Sequence, residues 1–175
     1  DGEARIPISN PLLAETSHLR TNLWEEHLQI CVRNLKASMA GCSIFEVGYT
    51  YSGSPESVEQ AGVVSGVICG DRRLERWSTN GKYKAPNYYE ARGVLSRVME
   101  AMQLDLSDRP LTDDARLHPG RSATLVLEGR PLGCFGQLHP ALADELSLPE
   151  CTYLFELDLD RLLDAATRSN RWTPI

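Results

Sequence analysis

Residues Leu117–Pro140 read LHPGRSATLVLEGRPLGCFGQLHP. Ser122 to Glu128 alternates and is β-prone, with Ala123, Leu125 and Leu127 on one face. Gly129 and Arg130 stand where a tight turn is needed, and Leu132 to Leu138 returns as the second strand. Gly133 and Gly136 inside that strand predict a bulge or a close approach by another backbone. A His-Pro pair closes each side of this β-hairpin. Pro119 biases His118 to an extended conformation ahead of a turn at Gly120. Pro140 takes the first position of a following helix, with His139 beside its cap.

Elements of both kinds lie around the hairpin. Ile6 to Leu13 reads as a short extended entry, with Asn10-Pro11 as a turn signal. Leu19, Leu23, Leu28, Cys31, Val32 and Leu35 keep near-helical spacing, which predicts a helix over 22–36 stopped near Gly41. Ser43 to Tyr51 reads as a strand with Phe45, Val47, Tyr49 and Tyr51 on one face and Glu46 on the other. Residues 52–59 read as a polar loop, and 61–69 as a buried strand. Residues 70–86 are irregular, with Trp77 folded back on the body. Asn87 caps a helix to about Gln103 whose face is Tyr88, Ala91, Leu95, Val98 and Met102. Residues 104–117 read as a connector. After the hairpin come a helix over 139–146, a strand over 152–157 and a helix over 159–166. Antiparallel strands with separate helices make the class α+β.

The 175 residues, 42% hydrophobic and 24% charged, suit one globular domain or a domain with an appendage. No apolar run approaches the ~20 residues that cross a bilayer, and no signal-peptide pattern opens the chain. Its abrupt ends predict a piece of something longer. A net charge of −6 argues against a dedicated nucleic-acid binder. The charge is uneven: Arg116, Arg121 and Arg130 face only Glu128, whereas 144–164 is strongly acidic and reads as a solvated face.

Five cysteines, an odd number without a C-x-x-C pair, form neither a disulfide framework nor a zinc motif. Reduced, mostly buried thiols in a cytoplasmic protein are the reading. His118, His139 and Cys134 match no metal spacing, so no metal site is expected. Nothing flanking Cys134 and His139 supports a thiol hydrolase. No phosphate loop of the G-x-x-x-x-G-K type is present. Trp77 and the Tyr88-Tyr89 pair read as core and loop anchors, not as a base-stacking platform.

Phrases in order carry more than any one motif. They are Asn10-Pro11-Leu12, Leu19-Arg20-Thr21-Asn22-Leu23, Asn34, Phe45-Glu46-Val47-Gly48, His118 to Ala123 (HPGRSA), Gly133 to Pro140 (GCFGQLHP) and Tyr153 to Leu163 (YLFELDLDRLL). In this order the chain resembles the beta subunit of bacterial phenylalanyl-tRNA synthetase, in the catalytic-like module ahead of its anticodon-binding domain. The resemblance covers residues 1–167. Residues 168–175, with Arg171-Trp172-Thr173-Pro174, are similar to the linker that follows.

The resemblance implies a class II aminoacyl-tRNA synthetase-like antiparallel sheet flanked by helices. It implies a cytoplasmic heterotetramer in which the alpha subunit performs the ligase chemistry with ATP and Mg2+, charging tRNA(Phe). This module then has no catalytic, cofactor-binding or metal residue of its own and serves as a structural and subunit-interface element. The sequence supports that degeneracy. The strand expected to carry the phosphate-binding Arg of the second class motif holds Phe45-Glu46-Val47-Gly48, and a carboxylate repels phosphate. In the register of the third motif, Glu156 and Asp158 replace both glycines, and Arg161 is expected to form a local ion pair or cap a helix.

Arg20, Asn34, His118, Arg121 and His139 are the candidates for alpha-subunit or tRNA contact, each with a fold-stabilising role as the simpler alternative. Gly48, Gly120, Gly133 and Gly136 read as backbone-geometry positions. The entry helix and strand of such a module are expected before Asp1, and their absence would leave an apolar seam open to self-association. The alternative reading is a free-standing synthetase-like regulatory or binding subunit without ligase activity. An independent ATP-using enzyme is opposed by the lost Arg and glycines.

Overall fold

Glu128 and Gly129 both take positive φ, 50° and 78°, and together make the two-residue turn of the central hairpin. Such a turn matches the right-handed twist of its strands. The turn therefore lies one residue earlier than expected, and Arg130 opens the returning strand. Glu128 accepts an uncommon backbone conformation because a two-residue turn of this hand needs both centres at positive φ.

The structure is a computed structural model that describes residues 5–11, 17–71 and 85–169, the last four as backbone alone. Its strands are β1 (Gly41–Ser54), β2 (Ser57–Gly70), β3 (Leu106–Pro110), β4 (Leu117–Leu127), β5 (Arg130–Leu138) and β6 (Thr152–Asp158). Its helices are α1 (Trp24–Lys36), α2 (Tyr88–Ala101), α3 (Pro140–Leu146) and α4 (Leu159–Ser169). The strands form one sheet in the order β1-β2-β6-β5-β4-β3, and every neighbouring pair is antiparallel. The α+β reading holds.

Side chains alternate across this sheet, so each face has its own core. On one face Phe135, Leu125, Tyr153 and Leu157 pack with Ala91, Leu95 and Met99 of α2 and Leu162 and Ala165 of α4. On the other, Val67, Cys69, Leu138 and Leu154 pack with Trp24 and Cys31 of α1 and Ala143 of α3. Burying apolar area on both faces supplies the main stabilisation.

Several boundaries differ from the reading of the sequence. Residues 52–59 are the outer end of the β1–β2 ladder, with the turn at Pro55 and Glu56. They are polar because that end projects beyond both cores and is exposed. Part of the expected connector is the edge strand β3, whose last residue is Pro110; an edge tolerates a residue that cannot donate. In α2 the capping box of Asn87 and Glu90 is present. The buried line, however, runs through Ala91, Leu95 and Met99, leaving Val98 exposed. Arg92 also turns inward and pairs with Asp108 of β3 at 2.7 Å. Helix α1 ends at a left-handed Ser38, not at Gly41. Gly41 instead opens β1, where a Cβ would lie 2.5 Å from the Cys69 carbonyl oxygen. Trp77 and residues 170–175 lie outside the described residues, and α4 continues through 168–169, where the linker was expected to start.

Candidate functional site

A polar row crosses the sheet from edge to edge. Glu46 of β1 faces Ser65 of β2, Ser65 faces Glu156 of β6, and Glu156 faces Cys134 of β5. Cys134 faces Thr124 of β4, and Thr124 faces Arg109 of β3. Directly opposed residues share a face, so the row lies on the face that α1 packs against.

The middle of that floor is filled. Trp24, the first residue of α1, is buried and donates from Nε1 to the Phe155 carbonyl oxygen at 3.2 Å. The Ser65 hydroxyl donates to the same carbonyl at 3.1 Å. The Arg116 guanidinium lies over the indole, 4.3 Å from its centroid, and is held there by Asp114 through contacts of 2.9 and 2.6 Å. Arg116 in turn keeps the Asp114 carboxyl below the usual carboxylate range, against burial.

Two groups between α1 and the sheet are buried with polar atoms unpartnered. Neither ring nitrogen of His27 nor Oε2 of Glu156 has a hydrogen-bond partner among the described residues. Burial pushes the Glu156 carboxyl up, opposed by the Leu23 backbone and Arg116. Burial pushes the His27 imidazole down, opposed by the charges of Glu46 and Glu26. The two give opposite slopes to stability. A carboxyl raised in the fold contributes fully below its unfolded pKa of about 4.3, and loses that contribution as pH rises through the folded value. An imidazole lowered in the fold costs stability as pH falls below its unfolded pKa of about 6.5. The variant E156Q is therefore expected to unfold at a higher temperature than the parent at neutral pH. The advantage should vanish by about pH 3, well below the unfolded pKa, where the parent carboxyl is protonated in both states. Thermal midpoints of both proteins across this range test it; an equal offset at every pH would contradict it.

The five contact candidates do not converge. Arg20 ties the entry segment to α1 and β1: it meets Glu46 at 2.9 Å, Glu26 at 3.1 Å and the Tyr49 carbonyl oxygen at 2.9 Å. Gly48 leaves room for this pair, since a Cβ there would lie 2.7 Å from the guanidinium. The backbone carbonyl of Asn34 accepts from Ala37 and Met39 as α1 ends. The other three lie at the far end of the β4–β5 hairpin. His118 Nδ1 accepts from the Gly120 amide at 3.0 Å, inside a stretch where the ladder shifts register. Arg121 donates to Gln137 at 2.9 Å. His139 is itself the N-cap of α3, and its Nδ1 accepts from the Ala141 amide. All five thus have partners within the fold. Gly120 meets only the edge of the His118 ring, at 3.6 Å, so it answers no steric demand.

Arg161 behaves as expected. It pairs with Asp158 at 3.1 Å, and its guanidinium also donates to the Pro131 carbonyl oxygen. The Asp158 carboxylate accepts from the Arg161 amide at 3.0 Å. Burial, helped by Glu156, pushes the Cys134 thiol up to about 12, away from the nucleophilic thiolate form. Among the described residues no group of three or more His, Cys, Asp or Glu side chains is arranged to hold a metal, and no helix is long and apolar enough to cross a membrane.

Trp24 occupies the middle of this floor, Glu46 and Glu156 line it, Arg116 is paired with Asp114, and Arg161 is committed to Asp158 and Pro131. What the fold does present is a row on the edge strand: Phe45, Val47 and Tyr49 are 73%, 57% and 50% exposed. Their neighbours across β2 are Gly66, Val64 and Gly62. The alternation in the sequence shows this face but not that it lies beyond the helices. Beside it an open groove of about 760 Å³ is lined by Arg5, His18, Arg20, Asn22, Glu25 and Tyr51, among others.

Residues 1–159 match the family model described as phenylalanyl tRNA synthetase beta chain CLM domain. The phenylalanine–tRNA ligase beta subunit of Synechococcus sp. (strain CC9902) is 88% identical over 175 residues, which are 100% of this chain and 22% of that protein. That of Prochlorococcus marinus (strain MIT 9313) is 60% identical over 174 residues, 99% of this chain and 21% of that protein. The chain thus spans about a fifth of the length of the curated relatives it matches. Among solved structures, pyrrolysyl-tRNA synthetase from Desulfitobacterium hafniense aligns with a TM-score of 0.55 at 14% identity, over 89% of this chain and 55% of that one. That likeness is one of fold.

Proposed function

This chain belongs to the family of the phenylalanyl-tRNA synthetase beta chain CLM domain, and we propose that it is a structural and subunit-interface module without catalytic residues of its own. In this reading it is part of the beta chain of phenylalanine–tRNA ligase and has a class II synthetase fold. It docks against the cytoplasmic alpha subunit, whose site uses ATP and Mg2+ to charge tRNA(Phe). The observation that carries the reading is the exposed row Phe45, Val47 and Tyr49 on β1. Large apolar side chains in line on a sheet edge cost solubility unless a partner covers them. The filled floor supports the same reading, because it leaves the chemistry to another subunit. The five polar candidates are assigned to the fold first; Arg20, at the rim of both the row and the groove, is the one best placed to serve the interface as well.

The test is co-purification of the beta chain with its alpha subunit, read by light scattering, with and without Phe45→Glu and Val47→Glu together. Truncating an aromatic anchor in a desolvated interface typically costs 2 kcal/mol or more, so association should weaken by at least about thirtyfold. The thermal midpoint should stay the same, because both side chains are exposed. Unchanged association would remove the row from the interface.

A further inference from the structure

Three of the five cysteines meet where α1 packs on the sheet, and nothing in the proposed interface role uses them. Cys31 is on the buried side of α1, and Cys42 and Cys69 are directly opposed on β1 and β2. The Cys31 and Cys42 sulfurs are 2.8 Å apart. The Thr152 hydroxyl donates to Cys69 at 3.3 Å. Cys31 and Cys69 are sealed from solvent, whereas Cys42 is only partly buried.

The arrangement divides the labour between two thiols. The hydrogen bond from Cys31 holds the Cys42 thiol down at about 7; burial opposes this, and the Asn34 side chain assists. The same hydrogen bonding, to Cys42 and then Cys69, together with burial, pushes Cys31 far up. Cys31 is thus the thiol that holds its proton most firmly, while Cys42 and Cys69 ionise more readily, and of these two only Cys42 is reached by solvent. A thiolate open to oxidant beside a protonated resolving thiol is the pattern of a redox pair. A disulfide needs its sulfurs about 2.05 Å apart, so the pair must close by less than about 1 Å.

We propose that Cys31 and Cys42 form a reversible disulfide when the protein meets a hydroperoxide, pinning α1 to the first strand of the sheet. The Cys42 thiolate attacks one peroxide oxygen, the O–O bond breaks, and Cys42 becomes a sulfenic acid. The departing hydroxide takes the Cys31 proton and leaves as water. The Cys31 sulfur then attacks the Cys42 sulfur, the S–O bond breaks, and the second hydroxide picks up a proton from solvent. Overall two thiols and one hydrogen peroxide give one disulfide and two waters. The two sulfurs lose the two electrons that the peroxide oxygens gain, and an external thiol reverses the step by exchange.

The experiment treats the full protein with hydrogen peroxide at a dose that oxidises free cysteine. Remaining thiols are then alkylated, and the protein is digested without reductant and mapped by mass spectrometry. The expected result is a linked peptide pair containing Cys31 and Cys42, lighter than the two reduced peptides by two hydrogens and lost on dithiothreitol. Alkylation should disappear at these two positions and persist at Cys134. Cys69→Ser should leave the link intact, and Cys31→Ser should leave a Cys42 sulfenic acid that dimedone traps. A Cys42–Cys69 link, a Cys42 sulfinic acid beside an alkylatable Cys31, or two untouched thiols would each overturn the assignment. The unmutated protein is read directly, so a variant that fails to fold does not remove the test.

Discussion

Gly133→Ala lowers the thermal midpoint by roughly 10 °C, the consequence of losing about 4 kcal/mol in a domain of this size. The reason is position, not conformational freedom. A Cβ on Gly133 would lie 2.0 Å from the carbonyl oxygen of Glu156 and 2.8 Å from the Cα of Leu157. Both are backbone atoms of β6, which pairs with β2 on its other side and cannot retreat. The clash is relieved only by prising β5 from β6 in the middle of the sheet, a cost at the upper end for overpacking. Gly93→Ala is the matched control: in α2 the added Cβ meets nothing within 4 Å. There the change should raise stability by about 0.5–1 kcal/mol, since glycine is a poor helix residue. Equal midpoints for the two variants would refute the packing argument.

The same glycine shows what the chain discloses before it folds. A glycine inside an alternating strand announces a close approach, and the approach is there. The central hairpin, α2 with its capping box, α3 with Pro140 in its first turn, and β6 were legible for similar reasons: short-range chemistry fixes them. The strand β3 was not, because LSDRP has no alternation and becomes a strand only by pairing with β4. The outer end of the β1–β2 ladder was not, because its polar side chains look like a loop until the register carries them past the core.

The site divides in the same way. Arg161 was legible because Asp158, three residues earlier, offers both an ion pair and a cap. Phe45, Val47 and Tyr49 were legible as a face, but the alternation of a strand does not say which face its helices will cover. That depends on β1 being the edge, a property of strand order. Trp24 carried no signal, since one aromatic at a helix start does not name what it will cover. The floor it fills is assembled from β2, β5 and β6, and Phe155, whose carbonyl the indole meets, lies 131 positions along the chain from Trp24.

Trp24→Ala is the second large effect, with an expected loss of about 4 kcal/mol, in the range for deleting a buried aromatic. The loss comes from the cavity and not from the hydrogen bond. The Phe155 carbonyl keeps the Ser65 hydroxyl, and Arg116 keeps Asp114. Trp24→Phe should therefore cost only about 1–2 kcal/mol, retaining most of the ring and part of its attraction to the guanidinium. Denaturant unfolding of both variants checks the difference; near-equal losses would move the weight onto the indole N–H. The alanine variant also bears on function. With the ring gone the floor is open, yet Glu156 and Glu46 still line it, and Arg161 remains tied to Asp158 and Pro131. Opening the space frees no cation for phosphate, because Arg116 stays paired with Asp114, so ATP binding by Trp24→Ala should stay undetectable by calorimetry. Measurable ATP binding would mean that the bulk of Trp24, and not the charge of the floor, keeps nucleotide out, and it would return this module to the class of nucleotide-using domains.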